Sequence, residues 1–176
     1  MGIKIEILKK YVNKNFIETG SFKGDGIETA LRSGFKNIYS IEVDPVWYGR
    51  CKKRFIGKDN IYLYLGDSPA VLPEILKKIQ EPSTFWLDAH PNGVSSGSGR
   101  VKCPILGEIA LVLGHNTSHT LLIDDREFFA GNGIDYWGNV NESQIMEEIK
   151  KYSDKVTVSY EDGRKKNNVI VIREKK

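Results

Sequence analysis

An apolar segment followed by a glycine-rich turn and a helix start constrains the fold of this chain more than any other feature. The apolar segment begins at Phe16, and glycines follow at positions 20, 24 and 26. Residues 27–31 then have the composition of a helix. Glycine tolerates positive φ and lets a ligand approach the backbone, while a helix N-terminus offers unpaired N–H groups. The sequence therefore predicts a strand, a turn and a helix that can hold a nucleotide-like ligand.

The spacing of the glycines distinguishes this turn from a dinucleotide-binding turn, in which the order is G-x-G-x-x-G. Here Glu18 precedes the order G-x-x-x-G-x-G. This pattern resembles motif I of the class I S-adenosylmethionine-dependent methyltransferases, and an ordinary strand-to-helix turn is the alternative. The resemblance implies that the following residues bind S-adenosylmethionine: Glu18, Thr19, Gly20, Ser21, Gly24 and Gly26.

A second apolar strand, within residues 36–44, also ends in an acidic residue. Glu42 lies 22 residues after Gly20, close to the separation at which an acidic residue binds the ribose hydroxyls of an adenosine. We therefore predict that Glu42 contacts the ribose, since a carboxylate can accept from both hydroxyls. Asp44 and Pro45 then indicate a helix start, with Asp44 as the N-cap.

Asp67 and Ser68 follow the third predicted strand, residues 61–65. The methyltransferase resemblance implies that Asp67 binds the adenine amino group of the cofactor and that Ser68 lies beside it. The alternative is that residues 66–67 only turn the chain and that Asp67 or Ser68 caps the next helix.

Carboxylates cluster at the ends of the fourth and fifth predicted strands. Asp88 ends the fourth strand, and Asp124 and Asp125 end the fifth. Three adjacent carboxylates repel one another unless a cation joins them, and hard oxygen ligands suit Mg²⁺ or a similar divalent ion. The set resembles the metal site of catechol-type O-methyltransferases. The chain departs from that family because Asp125 replaces an asparagine ligand and Pro91 stands where a lysine base is common, so an acidic strand end without metal is the alternative.

His90 follows Asp88 by two residues, at the same edge of the predicted sheet. An imidazole with an ordinary pKa suits proton removal from a hydroxyl group. We therefore predict Asp88 and His90 as the catalytic residues, and Asp88 is also expected to be among the residues that bind S-adenosylmethionine. His115 and His119 fall in a polar turn and are predicted to lie at the surface.

Five strands alternating with helices, followed by a terminal hairpin, predict the fold class. The expectation is an α/β fold with three αβα layers, Rossmann-like, in which a mostly parallel seven-stranded sheet ends in an antiparallel C-terminal hairpin strand. Residues 1–176 are predicted to form one domain that begins with a leading helix over residues 1–12. Two loops, residues 91–102 and 126–139, are expected to border the substrate, and the first has the small residues of a mobile lid.

Composition excludes several classes of protein. The 26 basic and 23 acidic residues give a net charge of +3, which is too mild to indicate nucleic acid as the partner. Two cysteines, Cys51 and Cys103, form neither a disulfide framework nor a zinc motif. No apolar run reaches membrane-spanning length and no signal peptide is evident, so we expect a cytoplasmic protein that does not bind membranes.

These expectations combine into one function. We predict methyl transfer from S-adenosylmethionine to a hydroxyl oxygen of a small-molecule or sugar acceptor, with or without a divalent cation. Since no separate substrate-binding domain is evident, the site is either open to a large substrate or completed by another subunit of a homo-oligomer. The alternatives are a nucleic-acid methyltransferase and a non-catalytic module that binds S-adenosylmethionine or a nucleotide.

Overall fold

A single seven-stranded sheet runs through the molecule. The structure is a computed structural model that describes residues 3–91, 99–100 and 102–175. The strands are β1 (Asn15–Thr19), β2 (Asn37–Glu42), β3 (Ile61–Leu65), β4 (Ser83–Leu87), β5 (Thr120–Ile123), β6 (Val156–Glu161) and β7 (Val169–Glu174). The helices are α1 (Ile5–Leu8), α2 (Asp25–Ser33), α3 (Pro45–Arg54), α4 (Ser68–Leu76), α5 (Ile105–Leu113) and α6 (Glu142–Lys150).

The strand order is β3-β2-β1-β4-β5-β7-β6. The first five strands are parallel, and β7 runs antiparallel to both β5 and β6. The order reverses between β1 and β4, which is where an open α/β sheet binds its ligands. Thr19 at the end of β1 pairs with Ile41 in β2 and Leu87 in β4, so the acidic residues that follow these strands meet at one edge.

Two apolar cores cover the two faces of the sheet. One core packs α4, α5 and α6 against the face that carries Ile17, and the other packs α1, α2 and α3 against the face that carries Phe16. The predicted αβα layering and the antiparallel C-terminal hairpin strand are confirmed.

Local sequence signals fix several helix ends near the site. The Asp44 carboxylate accepts the N–H of Val46 at 2.7 Å and so caps α3 as predicted. Gly34 ends α2 with a φ of +100°, a conformation that glycine adopts without steric cost.

Two local predictions and one alternative differ from the structure. The leading helix is shorter than residues 1–12, because α1 gives way to a 3₁₀ turn at Lys9–Tyr11. Neither Asp67 nor Ser68 caps α4 through its side chain. His119 is 5% exposed and not a surface residue, because its ring packs against Phe85 and accepts the N–H of Ser83.

The two predicted substrate loops differ in what the structure describes. In the loop over residues 91–102, positions 92–98 and 101 lie outside the described residues, so its role as a lid stays a prediction. The loop over residues 126–139 packs Phe129 and Trp137 into the body of the domain. Within the described part of the chain, no helix is both long and apolar enough to cross a membrane.

Candidate functional site

A cavity of about 340 Å³ opens at the carboxyl ends of β1 to β5. Most of the residues predicted to bind a cofactor or metal line it. They are Glu18, Gly20, Ser21, Gly26, Glu42, Asp67, Ser68, Asp88, His90, Asp124 and Asp125. Thr19 and Gly24 are not in this lining: Thr19 is fully buried beneath it, and Gly24 is the N-cap residue of α2.

Glu18 is buried at the end of β1, under the glycine turn. Its carboxylate accepts the hydroxyl of Ser40 at 2.6 Å, and Ser40 lies 2.5 Å from the hydroxyl of Ser21. A Cβ atom on Gly26 would lie 1.7 Å from Glu18 Oε1. Only glycine therefore fits at position 26 while Glu18 keeps this place. Burial raises the pKa of Glu18 to about 8, and the nearby carboxylates of Asp88 and Glu42 add to that shift.

The glycine turn lies directly against the end of β4. Gly20 has a φ of +87°, and a Cβ atom there would come within 2.6 Å of the carbonyl oxygen of Asp88. Both the Gly20 and Ser21 N–H groups donate to the Ile41 carbonyl, which fixes the turn to β2. The turn thus needs glycine for its conformation and for the close approach of two backbones.

Glu42 closes the other side of the turn. One carboxylate oxygen accepts the N–H of Phe22 at 2.7 Å, and the other accepts the N–H of Asp44 at 2.9 Å. The side chain is therefore held in one orientation at the cavity wall. Each carboxylate oxygen can accept a further hydrogen bond, because each has two lone pairs.

Asp67 and Ser68 occupy the cavity wall at the start of α4. The Asp67 carboxylate accepts the backbone N–H of Arg100 at 3.0 Å, so it ties the described end of the 91–102 loop to the site. The Ser68 hydroxyl is buried and has no hydrogen-bond partner among the described residues.

Asp88, His90 and Asp125, which all line the cavity, form a compact cluster. Each offers one ligand atom, and these atoms lie within 4.8 Å of one another. His90 Nε2 is 2.8 Å from Asp88 Oδ1 and 3.3 Å from Asp125 Oδ2. Neither contact has hydrogen-bond geometry, and both ring nitrogens remain without a hydrogen-bond partner in the described chain.

The backbone decides which acid of the Asp124–Asp125 pair joins His90. Asp125 adopts a left-handed conformation with a φ of +56°. Asp124 lines the cavity but accepts the N–H of Asp125 at 2.8 Å and is not a member of the compact cluster. The structure thus brings together Asp88 and Asp125 from the predicted metal set, with His90 as the third group.

The charges of the cluster shift its pKa values. Burial alone would lower the pKa of His90, but contact with Asp125 and Asp88 raises it to about 9. Burial would raise the pKa of Asp125, but His90 and the nearby charge of Arg164 lower it. Burial and repulsion from Asp88 raise the pKa of Asp124 to about 7. Without a cation, the two carboxylates therefore favour the protonated form of His90.

Trp137 fixes the plane of the His90 ring. The two rings stack with centroids 3.7 Å apart and an interplanar angle of 29°. The indole N–H donates to the carbonyl of Pro91 at 3.0 Å. The loop over residues 126–139 therefore supports the His90 ring from the protein interior, because Trp137 is almost completely buried.

Glu108 is an acidic residue of the site region that the sequence analysis missed. It lies in the first turn of α5 and is fully buried, and neither carboxylate oxygen has a hydrogen-bond partner among the described residues. Burial raises its pKa to about 7, although the nearby hydroxyls of Ser68 and Thr19 oppose the shift. One acid within an otherwise apolar helix, residues 105–113, was the available signal.

Comparison with known proteins bears on the fold of the chain. No protein-family model and no curated protein sequence matches it. Solved structures do match over nearly the whole chain. A proposed rRNA methylase of Clostridium thermocellum has a TM-score of 0.68 at 14% identity, covering 99% of this chain and 100% of the other.

Two further matches contain a bound cofactor product. The methyltransferase PaMTH1 of Podospora anserina with bound S-adenosylhomocysteine (SAH) has a TM-score of 0.67 at 16% identity, covering 98% of this chain and 76% of its own. An O-methyltransferase of Bacillus cereus in complex with SAH has a TM-score of 0.64 at 13% identity, covering 98% and 78%. At such low identity these likenesses concern the fold, and they confirm the class I methyltransferase fold predicted from the sequence.

Proposed function

We propose that this protein, which has the class I methyltransferase fold, transfers the methyl group of S-adenosylmethionine to a hydroxyl oxygen of a small-molecule or sugar acceptor. One observation carries the proposal. Glu18 and Glu42, at the ends of β1 and β2, line the same cavity as the cluster of Asp88, His90 and Asp125. A cofactor bound at the first pair would present its methyl group toward the second set.

Each cofactor residue has a contact that its chemistry supports. Glu42 has lone pairs free for the two ribose hydroxyls, since its backbone contacts use only one on each oxygen. Glu18 lies at the cavity wall beneath the turn, where its carboxyl group can accept a hydrogen bond from the ammonium group of the cofactor's amino-acid end, and that positive charge would favour the ionised carboxylate. Asp67 is an acceptor at the cavity wall that suits the adenine amino group.

Methyl transfer requires little covalent chemistry from the protein. The acceptor oxygen attacks the methyl carbon, and the C–S bond breaks with its electron pair passing to sulfur, which leaves neutral SAH. The protein must align oxygen, carbon and sulfur, exclude water and accept the hydroxyl proton. Asp124 suits that last task, because it lines the cavity beside the cluster, and burial together with repulsion from Asp88 raises its pKa above that of an ordinary carboxyl group.

The Asp88–His90–Asp125 cluster fits a divalent cation. Two observations support a cation site here. The buried imidazole of His90 has two ring nitrogens without hydrogen-bond partners in the described chain, and it lies beside two carboxylates. One nitrogen and two oxygen ligands suit Mn²⁺, Fe²⁺ or Zn²⁺ as well as Mg²⁺. We propose that these three residues hold such an ion, which would lower the pKa of a bound acceptor hydroxyl.

Isothermal titration with S-adenosylmethionine and SAH tests the cofactor assignment. We expect micromolar binding by the wild-type protein and at least about tenfold weaker binding by Glu42→Ala, since a charge-assisted contact contributes 1.5–3 kcal/mol. Glu147→Ala, at an exposed position of α6, is the matched control and should bind like the wild type. A folded wild-type protein that binds neither compound would contradict the proposal.

Titration with Mn²⁺ in the absence of cofactor tests the cation site without relying on turnover. Asp125→Asn should lose most of the Mn²⁺ affinity, whereas Asp124→Asn should keep it, because only Asp125 belongs to the compact cluster. Equal loss of Mn²⁺ affinity in both variants would mean that Asp124 is also a ligand of the ion. Unchanged turnover in EDTA, together with no Mn²⁺ binding, would remove the cation from the proposal.

The acceptor class and the occurrence of turnover need separate tests. The name of one structural neighbour, a proposed rRNA methylase, makes RNA the alternative acceptor. Labelled S-adenosylmethionine offered with RNA or with catechol and sugar acceptors distinguishes the two. If Asp88→Asn and His90→Ala leave every cofactor-dependent property unchanged, the protein is a binding module and not an enzyme.

A further inference from the structure

The buried carboxyl group of Glu108 lies where an apolar side chain would pack more favourably. The surrounding helix α5 is apolar, and Ile105, Ile109 and Val112 enter the core beside it. A buried polar group without a hydrogen-bond partner costs about 1–3 kcal/mol. Most buried polar groups in proteins have partners, so an unpaired one requires an explanation.

The two hydroxyl neighbours of Glu108 lie at or beneath the floor of the cavity. The Ser68 hydroxyl lines the cavity, faces Glu108 and likewise has no hydrogen-bond partner among the described residues. The Thr19 hydroxyl also faces Glu108 and accepts the backbone N–H of Asp88 at 3.3 Å. Glu108 thus faces two hydroxyls, one at the start of α4 and one that contacts the end of β4.

The unpaired atoms are confined to one region of the described chain. Buried side-chain nitrogen or oxygen atoms without a hydrogen-bond partner occur there only in Ser68, His90, Glu108 and Asn168. Ser68 and His90 line the cavity, and Asn168 and Glu108 lie beside its lining residues Asp125 and Ser68. Hydrogen bonds at such sites are often poorly aligned without ligand and tighten in the complex.

We infer that Glu108 is a positioning residue for the cofactor, which it serves by orienting the hydroxyls of Ser68 and Thr19 beneath the bound molecule. The inference rests on the proposed function. It adds a buried acid from α5, outside the cavity lining, to the residues that determine cofactor affinity. Glu108 would then lower the stability of the unliganded fold and strengthen binding.

Replacing Glu108 by methionine tests whether this residue lowers the stability of the unliganded fold and strengthens cofactor binding. Methionine has a similar length and no group that needs a hydrogen bond, so Glu108→Met should raise the melting temperature by roughly 2–4 °C. The same variant should bind SAH about tenfold more weakly, and its KM for S-adenosylmethionine should rise more than its kcat falls. Glu108→Gln keeps the shape and the hydrogen-bonding capacity and should restore most of the affinity. Glu74→Met, at an exposed position of α4, should leave SAH affinity unchanged.

Ser68→Ala extends the test to the partner of Glu108. If the two residues act together, the double variant with Glu108→Met should lose less affinity than the two single losses combined. Wild-type SAH affinity in the folded Glu108→Met variant would overturn the inference and leave the proposed function intact. Absence of SAH binding by the wild-type protein would overturn both. Loss of stability with unchanged affinity would make Glu108 a purely structural residue.

Discussion

The buried imidazole of His119 contributes a pH-dependent part of the stability of this protein. His119 accepts the N–H of Ser83 through Nδ1, at 3.2 Å, and lies 3.0 Å from the ring of His115. A ring nitrogen that accepts a hydrogen bond must be unprotonated. Burial and the neighbouring His115 accordingly lower the pKa of His119 from 6.5 to about 4.

Because the folded state disfavours the proton, acid should weaken the fold through His119. The unfolded chain takes up this proton near pH 6.5, so the contribution of His119 is lost as the pH falls from 6.5 toward 4. Buried carboxyl groups with raised pKa values, such as Glu18 and Glu108, act in the opposite direction. A comparison with one variant therefore isolates the effect better than the wild-type curve alone.

His119→Asn is the suitable variant, because its amide oxygen can accept the Ser83 N–H and does not titrate. Between pH 7 and pH 4 the wild type should lose roughly 2–3 kcal/mol of unfolding free energy relative to this variant. Urea unfolding at several pH values measures the difference. A constant difference across that range would mean that His119 titrates normally in the folded protein.

At the scale of elements, the start of α2 requires glycine at position 26, because no side chain fits there. Replacing glycine by alanine inside a helix usually stabilises it by about 1 kcal/mol. Gly26 should behave oppositely, because the added Cβ would lie 1.7 Å from Glu18 Oε1. Gly49 in α3 offers the matched control, since a Cβ there meets nothing within 4 Å.

Gly49→Ala should therefore stabilise the protein by about 0.5–1 kcal/mol, and Gly26→Ala should destabilise it by about 1–3 kcal/mol. Gly26→Ala should also weaken SAH binding, because Glu18 must leave its place, whereas Gly49→Ala should not. Thermal unfolding and titration with SAH measure both effects. If the two variants are equally stable, Glu18 is not confined as the structure describes.

The sequence predicted the elements of this fold better than the side-chain arrangement at their ends. The bounds of β3 agree with the predicted residues 61–65, and β2 falls within the predicted residues 36–44, because each is a short apolar run between turn residues. The choice between Asp124 and Asp125 depends on one left-handed residue, which no local pattern indicates. Glu108 escaped prediction because its contacts, Ser68 and Thr19, are distant in sequence and meet only in the folded sheet.

At the scale of the whole molecule, ligand binding and folding should be linked. The site joins residues that follow β1 to β5, so it exists only when the sheet is assembled. A ligand that binds only the folded state raises the free energy of unfolding by about 2.7 kcal/mol when its concentration is 100 times its Kd. For a chain of this length, SAH at that concentration should raise the melting temperature by roughly 5–10 °C.

Differential scanning fluorimetry with and without SAH checks this expectation. Adenosine alone is the useful comparison, because it lacks the amino-acid end that would contact Glu18 and should give a smaller shift. Equal shifts with both compounds would assign the binding energy to the adenosine half of the cavity.

The stacked pair of Trp137 and His90 gives the protein a built-in optical probe. A protonated imidazole quenches the fluorescence of an indole that it touches more strongly than a neutral imidazole does. With ring centroids 3.7 Å apart, the emission of Trp137 should follow the protonation of His90 directly. Trp47 and Trp86 contribute a background that a Trp137→Phe variant would define. The charge of the His90 ring could then be followed in real time, without label or substrate, through the fluorescence intensity of Trp137.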